Sequence, residues 1–301
     1  MRFKILVFVL TLAFMAGTFL AAYWFYDRVD HPERVAEELL QLREKQGRRG
    51  PAPDPSALSF KRAMDALSAG EVGASHEQLT RLLKVYPGSP HENEVQRILG
   101  EINLDHLFSR SPMPGKRDYI VKPGDSLARI EKGSLTTIPF LKRLNNLTSL
   151  TLQPGDRLVY QPLEFELEAR LEDSVLTVRQ KAAAGLEPVF FKNYPLTAVA
   201  LPPGFPKKIL KTQIQEKPAW LGDRKILVTD PKYAFARKQL QTTGRPGKPG
   251  LLLRPDADRK APEEAGPTAP AVAVHGLFLD EGDLEELATI LRVGTPIVIR
   301  R

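Results

Sequence analysis

The chain has 301 residues, with 43 Lys and Arg against 36 Asp and Glu, a formal charge of +7. At roughly 150 residues per domain this is room for about two folded units, and 42% hydrophobic with 26% charged residues excludes wholesale disorder. With no cysteine, thiol nucleophiles, disulfides, zinc ribbons and iron–sulfur clusters are excluded, and five scattered histidines (His31, His76, His91, His106, His275) argue against a histidine-rich metal site.

Arg2 and Lys4 precede an uncharged run of 22 residues, Ile5–Tyr26. At 1.5 Å per residue this makes ~33 Å of helix, enough to cross a hydrocarbon layer of ~30 Å. A signal-peptide core is ~7–15 residues long and ends at a small-x-small site. Leu20-Ala21-Ala22 is a poor site of that kind, and Tyr23, Trp24 and Tyr26 stand where an interfacial aromatic belt belongs. The expectation is an uncleaved signal-anchor over residues 1–27, with the bulk of the chain extracytoplasmic in the cell envelope. A cleaved signal, leaving a secreted chain, is the alternative. Export disfavours nucleic acid as a partner.

Residues 28–110 read as helical. Pro32 opens a pattern to Gln46 with Val35, Leu39 and Leu42 on one face, and Gly47–Pro55 is a linker by composition. Ala63 and Leu67 belong to a helix ended by Gly70. Leu79, Leu82, Leu83 and Tyr86 belong to a second, closed by Pro87-Gly88-Ser89-Pro90. Val95, Ile98, Leu99 and Ile102 start a third. Around Leu82–Pro90 the segment resembles one and a half tetratricopeptide-like hairpins, a surface for a protein partner; a plain helical spacer fits the pattern as well.

Over 118–162 the elements read βααβ. Tyr119-Ile120-Val121 is a strand and Lys122-Pro123-Gly124-Asp125 a turn, with Asp125 as cap of a helix holding Leu127 and Ile130. Thr137 caps a second helix with Pro139 in its first turn and Leu141 and Leu144 inward, and Pro154-Gly155-Asp156 turns into the strand Arg157–Tyr160. The pieces Tyr119–Leu127, Leu141–Asn145 and Leu152–Leu158 resemble the LysM domain. That resemblance implies binding to N-acetylglucosamine-containing glycans such as peptidoglycan, between the loop after the first strand and the loop after the second helix. By position those loops are Gly124, Asp125, Ser126 and Leu127, and Asn145, Asn146 and Leu147. Lys132-Gly133 falls where the family's first helix continues, so that helix should be short.

From Phe165 onward, strands are expected at Phe165–Ala169, Val175–Val178, Val189–Phe191 and Leu196–Ala200. A long loop is expected from Thr242 to Ala271, then a helix capped by Asp283 with Glu286 at the capping-box position, and a last strand Pro296–Ile299. Residues 164–301 resemble the L,D-transpeptidase (YkuD-type) domain through Val274-His275-Gly276, Asp283–Leu287 and Val293–Ile299. The family's motif is Ser-His-Gly-Cys followed two residues on by arginine. The degenerate positions here are His275, Gly276, Leu277 and Leu279, with leucine in place of both the nucleophile and the arginine.

The fold class is thus multidomain α+β: a membrane helix, a helical segment, a βααβ LysM domain and a mainly-β transpeptidase-like domain. The leading functional expectation is a membrane-tethered, peptidoglycan-binding envelope protein with no catalytic residues, metal or cofactor. The alternatives are a wall enzyme with a non-cysteine nucleophile such as Ser174 or Thr295, and an envelope scaffold for a protein partner. A metal site from His275, Asp280, Glu281 and Asp283 offers only one nitrogen ligand. Between Pro203 and Arg254, twelve Lys and Arg face three acids, which suggests either an anionic wall partner or a solvated basic face.

Overall fold

The computed structural model describes residues 54–182, 186–206, 209–244, 250–259 and 275–301, together with Gln41. The apolar run Ile5–Tyr26, the helix expected over 32–46, and Val274 lie outside the described residues. Among the described residues no helix is long and apolar enough to cross a membrane. The chain divides into two compact units, Met1–Val95 and Gln96–Arg301.

The first unit contains an antiparallel helix pair, α1 (Pro55–Ser68) and α2 (Val72–Val85). Asp54 caps α1, its carboxylate accepting from the Ser56 amide at 2.9 Å, and Pro55 fits the first turn, where no amide hydrogen is needed. Gly70, at φ +79°, makes the turn between the helices. Ala63, Leu79 and Leu82 are fully buried, as the i, i+3 spacing of the two leucines requires. Phe60 stacks on the His91 ring at 4.6 Å.

The next helix, α3 (Glu92–Phe108), carries the chain into the second unit. There follow β1 (Arg117–Ile120), α4 (Leu127–Gly133), α5 (Ile138–Leu144) and β2 (Arg157–Tyr160). Twelve strands come after: β3 (Phe165–Arg170), β4 (Val175–Gln180), β5 (Val189–Pro195), β6 (Ala198–Ala200), β7 (Leu210–Glu216), β8 (Ala219–Leu221), β9 (Arg224–Ile226), β10 (Arg237–Lys238), β11 (Leu240–Thr242), β12 (Leu252–Pro255), β13 (Gly276–Leu279) and β14 (Pro296–Arg300). A final helix, α6 (Glu281–Ile290), precedes β14.

Nine of the strands form one mixed sheet in the order β5-β4-β3-β14-β7-β11-β12-β13-β6, parallel only at β3/β14 and β12/β13. β8, β9 and β10 make a small second sheet. β12 lies within the stretch where the sequence suggested one long loop. Its pairing with β11 and β13 recruits Leu252 and Leu253 despite the surrounding prolines and glycines.

The edge strand β5 is covered by α3. The Asn103 side chain donates to the Phe191 carbonyl at 2.8 Å, Gln96 accepts from Asn193 at 2.7 Å, and Glu101 pairs with Lys192 at 3.0 Å. Covering an edge with polar side chains in this way blocks edge-to-edge association. Gly100 allows the close approach, since a Cβ there would stand 3.0 Å from Lys192 Cγ.

The sheet's core also takes in Phe140 and Leu144 of α5 and Leu104 and Leu107 of α3. Residues 118–162 therefore share a core with the sheet that follows them. The cap of α6 is Asp280, accepting from Gly282 N at 2.8 Å, rather than Asp283. The Asp283-x-x-Glu286 spacing fits a capping box, but Glu286 is engaged elsewhere: it accepts from Lys192 Nζ at 3.3 and 3.0 Å and from the Tyr194 hydroxyl at 3.3 Å.

Candidate functional site

β1 and β2 pair antiparallel, with Tyr119 opposite Leu158 and Ile120 opposite Arg157. Val121, Leu127, Ile130, Ile138, Leu141 and Leu158 make a small core between this hairpin and the helices. α4 is indeed short, seven residues ending at Gly133. Thr137 caps α5 as expected, accepting from Phe140 N at 3.1 Å.

The cap of α4 is Ser126, whose hydroxyl accepts from Arg129 N at 3.3 Å, and not Asp125. Asp125 instead organises the turn before the helix. Its carboxylate accepts from the Tyr119 hydroxyl at 2.7 Å and from Lys122 N at 2.9 Å. Those bonds, Tyr119 first, hold the Asp125 carboxyl below its ordinary pKa and push the Tyr119 hydroxyl up. Gly124 takes φ +80°, a region that disfavours side chains, and its carbonyl accepts from Arg129 Nη1 at 2.9 Å.

In the first loop Gly124 and Ser126 are exposed, Asp125 is half-buried and Leu127 is buried in the small core. In the second loop Asn146 is exposed at φ +51°, a conformation asparagine tolerates. Leu147 packs partly on the core, and Asn145 is buried. The Asn145 amide is fully engaged: it donates to Leu141 O at 3.0 Å and Val159 O at 2.7 Å, and accepts from Val159 N at 2.7 Å. Each loop thus presents exposed backbone and short polar groups on a rigid base.

Residues 119–160 match the LysM domain family. Both helices, the strand β2 and the two turns lie within that match, and β1 begins two residues before it. No curated protein matches the chain. Among solved structures, the chain is similar to a fused Zn-dependent amidase/peptidase/peptidoglycan-binding domain-containing protein from Clostridium acetobutylicum, at 14% identity and TM-score 0.29, covering 45% of this chain and 51% of that one. It is also similar to an L,D-transpeptidase from Mycobacterium smegmatis, at 19% identity and TM-score 0.27, covering 49% and 64%. L,D-transpeptidase 3 from Mycobacterium tuberculosis is similar at 11% identity and TM-score 0.26, covering 50% and 77%. The chain spans about half the length of the first of these.

Beyond the LysM domain, Gly276, Leu277 and Leu279 fall on β13. Leu277, Phe278 and Leu279 are fully buried, and His275 is half-buried just before the strand. Gly276 is required by close packing: a Cβ there would lie 2.8 Å from Leu252 O and 2.9 Å from the Arg254 side chain. Ser174 sits in the β3/β4 turn at φ +51°. The Thr295 hydroxyl is buried, donating to Arg292 O at 2.7 Å and accepting from Arg292 N at 3.2 Å. Among the described residues no group of His, Asp and Glu is placed to hold a metal ion.

Among the described residues, most cations of the basic stretch have partners within the protein. Lys217 donates to Ala288 O and Leu291 O at 2.7 Å each, and Lys238 is buried against Glu285. Arg224, Lys225, Arg237 and Arg254 pair with Asp230, Glu216 and Asp258. Lys211 and Lys232 remain on the surface. Linear charge counting could not see the partners of Lys217 and Lys238, which come from α6 and the residue after it.

Proposed function

We propose that the chain is a cell-envelope protein that binds the glycan strands of peptidoglycan through its LysM domain. The match at 119–160 carries this reading. Gly124, Ser126 and Asn146 offer the glycan exposed backbone and polar groups. Asp125, Leu127, Asn145 and Leu147 hold the two loops in shape. The apolar run Ile5–Tyr26 tethers the chain to the membrane.

The second half is a non-catalytic wall-associated domain. Its sequence resembles an L,D-transpeptidase, but acyl transfer there requires a thiolate, and the whole chain has no cysteine. The buried leucines of β13 offer no substitute.

The test is sedimentation of the full chain with purified sacculi, comparing the parent with Gly124→Val. Forcing a branched side chain onto φ +80° reshapes the turn where the glycan would approach. Weaker pelleting of a folded variant supports the site. Parent protein that stays in the supernatant refutes the function.

A further inference from the structure

A cavity of about 500 Å³ opens beside the LysM hairpin, where the chain leaves α3 and enters β1. Arg110, Lys116, Arg117 and Arg157 line it, with Asp118 as its one acid, over an apolar floor of Pro112, Met113 and Val159. Two of the cations are already committed. Arg157 makes a two-pronged pair with Asp118, at 3.0 and 2.8 Å, and Lys116 Nζ donates to the carbonyls of Leu107 and Ser109 at the end of α3. Desolvation lowers the Lys116 ammonium to about 8.

Arg110 and Arg117 have neither a carboxylate nor a carbonyl partner among the described residues, and both are exposed. Two unpaired guanidinium groups in one concavity repel each other and wait for an anion. Guanidinium forks match the two oxygens of a carboxylate. The connecting segment that carries Arg110 is braced: Lys116 N bonds to Met113 O at 3.1 Å, and Gly115 turns at φ +92°. The cleft is therefore largely formed before any ligand arrives.

Its position ties it to the glycan loops. Asp118 and Val159 are opposite one another in the hairpin, and Ile120 and Arg157 form the next pair on that face, with Ile120 53% exposed. From Ile120 the chain runs through Val121 into the Lys122–Asp125 turn, and Val121 is fastened to the turn before β2 by the bonds Gly155 N to Val121 O and Val121 N to Asp156 O. A polymer seated on the first loop and running along the hairpin would bring its side groups to the cleft.

We propose that this cleft is a second subsite, which takes the carboxylates of the peptide side chains of peptidoglycan while the LysM loops hold the sugar backbone. The proposal rests on the glycan-binding reading for the polymer's identity. Together the two sites make the protein favour peptide-bearing wall glycan over a neutral polymer of N-acetylglucosamine.

The experiment uses the full chain and Arg110→Gln/Arg117→Gln. Binding is measured to a neutral chito-oligosaccharide, to intact sacculi, to sacculi stripped of peptides by an amidase, and to sacculi freed of phosphodiester-linked polymers by acid. Both substituted side chains are exposed, so the variant keeps its fold. Expected is unchanged binding to the chito-oligosaccharide, but about tenfold weaker binding to intact sacculi, the scale of two charge-assisted contacts near the surface. The parent should lose the same preference on peptide-stripped sacculi, and its advantage should shrink with salt.

Equal binding of parent and variant to intact sacculi overturns the subsite. A loss that follows acid extraction instead of amidase treatment assigns the cleft to phosphate and overturns the carboxylate. Failure of the parent on the chito-oligosaccharide, with arginine-dependent binding to sacculi retained, removes the glycan reading and leaves the cleft standing.

Discussion

Asn145 meets Val159 as a neighbouring strand would, donating to its carbonyl and accepting from its amide, both at 2.7 Å. The third bond, to Leu141 O, fixes the amide to the end of α5. One side chain thus joins the second helix of the LysM domain to its last strand. The second loop owes its shape to that bond set, and Asn146 is exposed because Asn145 is not.

Asn145→Ala should therefore act on stability. It leaves both backbone groups of Val159 without their partner in a mostly buried place, a cost of about 1–3 kcal/mol. Denaturant unfolding should show the loss, while the fraction that remains folded binds glycan with nearly the parent's affinity. Asn146→Ala should do the reverse, weakening binding more than stability. Equal effects of the two on affinity would mean that Asn145 touches the ligand.

Much of the LysM domain was legible because its turns and caps are local chemistry: Thr137 with Pro139, the Pro154-Gly155-Asp156 turn, and leucines at helical spacing. The one-residue error at Ser126 has a nonlocal cause, since Asp125 is drawn away by the Tyr119 hydroxyl across the turn. Asp283 was misread for a similar reason, its capping-box glutamate being claimed by Lys192 and Tyr194 from β5. β7 was not legible at all. It is polar along most of its length and buries only Ile214 fully, yet it pairs with both β14 and β11 through its backbone. The cleft arginines lie outside any motif, and only the fold brings Arg110 beside Arg117.

The LysM residues should not behave as a detachable bead. Phe140 is fully buried in the core shared with the large sheet, with its ring 5.6 Å from that of Phe108, and Leu144 is 1% exposed in the same core. Phe140→Ala in the full chain should cost about 3–5 kcal/mol. A fragment of residues 118–162 alone should expose both side chains, bind a hydrophobic dye and melt well below the fragment 96–301. Equal melting temperatures would show that the shared core contributes nothing to the domain.

Alkaline pH should stabilise the protein before it destabilises it. Desolvation lowers Lys217 to about 8, and Lys116 to a similar value, against an ordinary 10.5 in the unfolded chain. Between those values the unfolded state binds more protons than the folded one, so stability rises with pH, by about 2 kcal/mol by pH 10 for the buried Lys217 and by less for the partly exposed Lys116. Above 10 the trend turns. Burial pushes Tyr233 up to about 12 and Tyr194 well above its ordinary value, so unfolded tyrosines ionise first and favour unfolding. Urea midpoints from pH 7 to 11 should pass through a maximum near 10, and Lys217→Met should flatten the rise. That variant also leaves the carbonyls of Ala288 and Leu291 without a donor, lowering stability at all pH values.

The last expectation concerns acylation. A carbapenem forms a stable adduct when a thiolate attacks its ring carbonyl, and the native chain contains no thiol. Intact mass after incubation should be unchanged. Placing a thiol at the motif position, by Leu277→Cys, should not create activity either. Leu277 is fully buried in β13, between β12 and β6, so the new sulfur sits in an apolar core where the thiolate is disfavoured. Leu279, two residues on and also fully buried, provides no compensating charge. The variant should lose about 2 kcal/mol through lost packing, and its thiol should react with iodoacetamide only after unfolding. Rapid labelling of the folded variant would show that position 277 is open to solvent, and a carbapenem adduct on the native chain would overturn the non-catalytic proposal.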